Sequence, residues 1–180
     1  DLDTSRGLGD VYKRQVDIGY GEKTDIAPDI KISMENAGHI LGSSSVYMHI
    51  GEGSHEHRLL FSGDIKYEKS WLFDAAAVRF PKADTLVIES TYGGPQDFQP
   101  NRTDATHEIQ DLVKLAVSRS GKIFCPVFAV GRSQEVMLAI DQLFKSGEVS
   151  PITVWLDGMI SEATAIPVSY THLRAHETYR

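Results

Sequence analysis

Apolar and polar positions alternate through the first half of the chain. In Ile30-Lys-Ile-Ser-Met-Glu35 the character changes at every step, which is the period of a half-buried strand. Ser45-Val-Tyr-Met-His-Ile50 and Arg58-Leu-Leu-Phe-Ser62 predict two more strands, joined by the polar, glycine-bearing loop 51–57. An antiparallel hairpin of this shape returns its outer ends to one sheet edge. Trp71-Leu-Phe-Asp-Ala-Ala-Ala-Val78 predicts a short helix that Pro81 stops, and Thr85-Leu-Val-Ile-Glu89 predicts a buried strand ending in a carboxylate.

The pattern changes after the turn-rich stretch Gly93-Gly-Pro-Gln-Asp-Phe-Gln-Pro100, which reads as a boundary. Ile109, Leu112, Val113, Ala116 and Val117 fall at helical spacing and predict a helix over 103–118, with Thr103 as its N-cap. Lys122–Phe128 predicts a strand, which Pro126 places at an edge or a bulge. A second helix is predicted over 133–145, ended by Gly147, and a strand over 152–156. Helix and strand in alternation imply a parallel, doubly wound sheet. The fold class is therefore α/β.

With 180 residues the chain holds one domain or parts of two. The apolar fraction of 41% is that of an ordinary globular protein, and no run approaches the roughly 18 apolar residues of a membrane span. A cytoplasmic protein is the default expectation. The single cysteine, Cys125, excludes an internal disulfide and a thiolate cage, and its apolar neighbours argue against a catalytic thiol. The net charge of −7 cuts against plain electrostatic binding of nucleic acid. A nucleic-acid ligand would have to be attracted by cations, a few arginines or another domain.

Two residues close off the first hairpin. His39 follows Gly38 and leads into the small-residue turn 42–45, where backbone can approach whatever the ring binds. Asp64 follows Gly63 at the end of an apolar run, and strand ends are where a rigid sheet offers ligands. The hairpin should bring the two together as a shared metal site. His55 and His57 mimic a zinc pair but lie in the loop at the far end, and a solvated loop accounts for them better. His49, His107, His172 and His176 receive no role.

Gly131-Arg-Ser-Gln-Glu135 leads into a helix and carries two readings. It is a plain cap, with Ser133 accepting from helix amides, or a phosphate cradle in which Arg132, Ser133 and Gln134 meet an anion. Asp157 opens another such turn, for which a plain N-cap is one reading. Tyr92 either lines a nucleotide path or packs.

Gly38-His-Ile-Leu-Gly-Ser43 and Phe61-Ser-Gly-Asp64 resemble the third and fourth ligand motifs of the metallo-β-lactamase superfamily. Glu89-Ser-Thr-Tyr-Gly93 resembles the first motif of its β-CASP nuclease branch. Thr24–Asp29, Pro126–Glu135 and Leu156–Ala165 add to a likeness, over about Val16–Ile166, to archaeal cleavage-and-polyadenylation-factor-like ribonucleases with KH domains. The resemblance implies part of an αββα metallo-β-lactamase sandwich over 16–95 and part of a parallel α/β β-CASP domain over 96–166. The stretches 1–15 and 167–180 are expected to be unrelated tails.

By the same resemblance, His39 ligates one of two zinc ions, Asp64 bridges both, and Glu89 orients a histidine that helps protonate the leaving group or holds the second metal. The implied activity is zinc-dependent endonuclease and 5′-to-3′ exonuclease cleavage of RNA in 3′-end processing and transcription termination. The implied partners are RNA, RNA polymerase and a second copy of the complete protein, with no membrane. The superfamily's His-x-His-x-Asp-His motif is not in this sequence. Two ligands rarely hold zinc tightly, so the chain alone is expected to be inactive and to bind well under one zinc. A catalytically dead scaffold subunit is the alternative. A small-molecule hydrolase is disfavoured by the second α/β region.

Overall fold

The computed structural model describes residues 15–166, which form two units. The terminal stretches set aside above lie almost wholly outside the described residues.

The first unit comprises the described residues up to Lys69 together with Asp74–Glu89. Its centre is a five-stranded sheet in sequence order: β1 (Lys23–Ala27), β2 (Ile30–Asn36), β3 (Ser44–Ile50), β4 (His57–Phe61) and β5 (Thr85–Val87). The first four strands are antiparallel, as short connections require, and β5 joins β4 in parallel. In the expected hairpin, Val46 faces Phe61 and Ile50 faces His57, and a 3₁₀ turn at Gly53–His55 closes it.

Strand β2 is covered on both faces: Ile32 and Ser33 are both buried. Tyr47 is buried on β3, and its hydroxyl donates to the Lys82 carbonyl at 2.8 Å, which holds the incoming strand to the sheet. At the far end of the sheet Arg58 is clamped by Asp84: its backbone N–H and Nε both donate to Oδ2 at 3.0 Å, and Nη2 donates to Oδ1 at 3.2 Å.

Two expectations fail over residues 71–89. The stretch 71–78 is not helical, because its backbone groups are committed elsewhere. Ala76 N donates to Lys66 O, Ala77 N to Asn36 O, and the Asp74 and Ala75 carbonyls accept from the Asn36 side chain. No i→i−4 ladder can form from groups already in use. The run 85–89 is a three-residue strand at the sheet edge rather than a buried one, and Leu86, Val87 and Ile88 are exposed.

The second unit comprises Ser70–Phe73 and the described residues from Ser90 on. Helix α1 (Arg102–Ser118) begins earlier than expected because Asn101, not Thr103, is its cap: Asn101 Oδ1 accepts from Asp104 N at 2.9 Å. Helix α2 (Arg132–Lys145) ends at Gly147 with φ +77°, the left-handed geometry a helix terminus favours. Val113, Leu143 and Val149 form the core, with Ile140 and Phe144 against them. Gln110 Nε2 also donates to the Ala139 carbonyl at 2.9 Å, so the two helices pack directly.

The segments 122–128 and 152–156 form no ladder among the described residues, so the predicted strands are extended runs there. Their apolar side chains face solvent, Phe124 at 91% and Trp155 at 88% exposure. Cys125 is likewise exposed rather than enclosed by apolar neighbours. The molecule is a mixed α/β protein, but the parallel pairing occurs between β4 and β5, outside the region where alternation suggested it. No helix among the described residues is long and apolar enough to cross a membrane.

Candidate metal centre

The hairpin brings His39 and Asp64 to one edge of the sheet. His39 precedes β3 and Asp64 follows β4, and His39 Nε2 lies 3.9 Å from Asp64 Oδ2. Their side chains are 45% and 74% exposed, so the pair is screened and contributes little to stability as an ion pair. Backbone and neighbouring side chains, rather than mutual attraction, hold them together.

The His39 loop is closed on itself. Ala37 N donates to Ser43 O, and Ser43 Oγ accepts from both His39 N and Ile40 N at 3.1 Å. The Tyr20 hydroxyl donates to the Ser43 carbonyl at 2.9 Å. Gly38 takes φ +69°, and a Cβ there would stand 2.7 Å from Ala76 N and from Lys66 O. The glycine is required both by conformation and by the closeness of the 74–76 backbone.

The Asp64 loop is held from two sides. Ser45 Oγ donates to Ser62 O at 2.8 Å, clasping the hairpin ends, and Lys66 N donates to Ala37 O at 2.9 Å, joining the two loops. Glu89 supplies the other side: its Oε1 accepts from Ile65 N at 2.7 Å, and its own amide donates to Ser62 Oγ at 3.1 Å. The carboxylate therefore acts on the backbone just after Asp64.

The donor chemistry suits a borderline cation: one imidazole nitrogen and one carboxylate oxygen. Two such ligands about 2.0–2.1 Å from a tetrahedral zinc stand about 3.4 Å apart. The observed 3.9 Å is close enough for a small side-chain rotation to satisfy this. As a pair they fit, and as a complete site they do not, since no group of three or more potential ligands gathers among the described residues.

The other candidates belong to the second unit. Arg132 is exposed at the start of α2. Ser133 is buried and its hydroxyl donates to Ala129 O at 2.8 Å; it lies inside the helix, so the cap position read for it falls to another residue. Gly131 holds the N-cap position. Gln134 Oε1 accepts from Gly131 N at 2.6 Å, and its Nε2 donates to Ala129 O and Thr164 Oγ1. Of this trio only Arg132 points a charged group outward. Tyr92 is exposed in the turn 90–93. Asp157 Oδ1 accepts from the next amide, Gly158 N.

His57 Nε2 lies 3.0 Å from Thr85 Oγ1 and His49 Nδ1 2.7 Å from Glu56 Oε1, both at the end of the sheet away from Asp64. Sequence reasoning missed Asn36, Ser43 and Ser62, whose side chains brace the two loops. The Asn-x-Gly step at 36–38, which favours an Asx turn, was the available signal for the first.

No protein-family model matches the chain. It is 49% identical over 154 residues to the transcription termination factor FttA of Methanothermobacter thermautotrophicus, covering 86% of this chain and 24% of that protein. The FttA proteins of Cenarchaeum symbiosum and Thermococcus kodakarensis are 45% and 42% identical, over 96% and 97% of this chain and 26% and 28% of theirs. The chain is thus homologous, along most of its own length, to archaeal proteins named transcription termination factor FttA, and it spans about a quarter of theirs.

Proposed function

We propose that the chain is part of a zinc-dependent ribonuclease that acts in archaeal transcription termination, with His39 and Asp64 contributing to its metal centre. The observation that carries this reading is the 3.9 Å approach of His39 to Asp64 at the end of the β3–β4 hairpin. The names of its relatives supply the biological setting. In a two-metal site the ions lower the pKa of a bound water and stabilise the oxyanions of an in-line phosphodiester displacement.

The chain's own residues do the positioning. His39 offers a ring nitrogen from a loop that its own hydrogen bonds keep closed. Asp64 offers a carboxylate from a loop fixed to the turn after β2 through Lys66 and to the segment after β5 through Glu89. Arg132 is the exposed cation at the α2 terminus and the candidate contact for a phosphate, with Tyr92 a candidate for stacking on a base. RNA, RNA polymerase and a second copy of the complete protein are the proposed partners.

The test is Asp64→Asn in the complete protein. RNA cleavage at saturating zinc is expected to fall by at least about a hundredfold, the scale set by loss of a ligand-level interaction. Unimpaired cleavage would remove Asp64 from the centre. A wild-type protein that terminates transcription without cutting RNA would favour the scaffold reading.

A further inference from the structure

Asn36 is the residue on which the approach of His39 to Asp64 converges. It ends β2 and stands three residues before His39. Its Oδ1 accepts from Gly38 N at 2.9 Å, while Nδ2 donates to the carbonyls of Ala75 at 3.1 Å and Asp74 at 3.3 Å. Its own carbonyl accepts from Ala77 N at 2.8 Å. One side chain therefore fixes the His39 loop and seats it on the 74–77 segment.

That segment is tied in turn to the Asp64 loop. Ala76 N donates to Lys66 O at 2.8 Å, and Lys66 N donates to Ala37 O at 2.9 Å. Ala37, between Asn36 and Gly38, is fully buried. The three backbones form a closed circuit: 36–38 to 74–77, then to Lys66, then back to Ala37. His39 leaves the circuit one residue beyond Gly38, and Asp64 leaves it two residues before Lys66. The Asn36 side chain bonds to two of the three segments of this circuit.

We infer that Asn36 is a positioning residue for the metal centre, holding His39 against Asp64 through the Gly38 amide and the Asp74 and Ala75 carbonyls. The inference rests on the metal reading above only for its chemical purpose, since the circuit exists without any ion. Replacing the amide leaves the part-buried Gly38 N–H and Ala75 carbonyl of the circuit without this partner.

The experiment uses the whole 180-residue chain and the variants Asn36→Ala, Asp84→Asn and His39→Ala. Asp84→Asn perturbs the opposite end of the same sheet and serves as the stability control. Amide hydrogen exchange is read without metal, and zinc alone is then titrated while the His39 ring signals are followed. Asn36→Ala is expected to speed exchange at Gly38, Lys66 and Ala76 by about tenfold, with the β3–β4 amides unchanged. It is also expected to weaken the zinc response of His39 by about tenfold, the usual scale for a residue that orients a ligand. Asp84→Asn should do neither.

Unchanged exchange at those three amides, or a uniform rise across the sheet, overturns the inference. A wild-type His39 ring indifferent to zinc is what an incomplete ligand set gives, and the exchange result then decides the positioning role on its own; a zinc response that survives His39→Ala removes His39 from the metal reading.

Discussion

Gly38→Ala tests whether the circuit behind His39 is as tight as its distances state. The added Cβ would lie 2.7 Å from Ala76 N, 2.7 Å from Lys66 O and 2.9 Å from Asp74 O, all backbone atoms that no side-chain rotation can move aside. A non-glycine residue at φ +69° carries a left-handed penalty of about 1–2 kcal/mol. The collision adds about 1–3 kcal/mol, the range for overpacking that forces backbone shifts. Gly42→Ala separates the two contributions: Gly42 has φ +78° but nothing within 4 Å of its Cβ position, so it should bear the conformational penalty alone. Chemical denaturation of both variants, followed at amides of β2 and β3, is expected to show Gly38→Ala less stable than Gly42→Ala by about 1–3 kcal/mol. Equal losses would refute the close packing of the 74–76 backbone on Gly38.

Arg58 holds the Asp84 carboxyl down to about 2 from its ordinary 3.8. Because the folded value is the lower one, this stabilisation is complete above about pH 4 and is lost as pH falls toward 2, so Asp84→Asn should flatten the acid limb of an unfolding-versus-pH curve only in that window. In the second unit, Gln134→Ala removes the acceptor for Gly131 N and the donor to Ala129 O and Thr164 Oγ1. It should lower stability by about 1–3 kcal/mol in a thermal melt, and no loss would show those bonds to be replaced by water.

Much of the first unit was legible because its signal is periodic. Alternation over 30–35 and the two runs flanking the loop 51–57 fixed the strands, and hairpin geometry alone then required residues 39 and 64 to converge. The stretch 71–78 was misread because its alanines favour a helix while its backbone groups are taken by Asn36 and Lys66, partners distant in sequence. Propensity carries no information about such competition. The runs 122–128 and 152–156 are apolar enough for strands, yet a strand also needs a neighbour, and none of the described residues provides one. At Gly131–Glu135 the sequence offered a hydroxyl, an amide and a guanidinium as equals. Only packing showed that Ser133 and Gln134 turn inward while Arg132 does not.

Strand β5 has three residues, a single neighbouring strand and an outer face open to solvent. Such a strip is the first part of a sheet to peel, well below the free energy that unfolds the hairpin. Its departure would carry Glu89 with it and free the Ile65 amide in the same event. The loop that carries Asp64 thus depends on a bond made from the thinnest margin of the sheet.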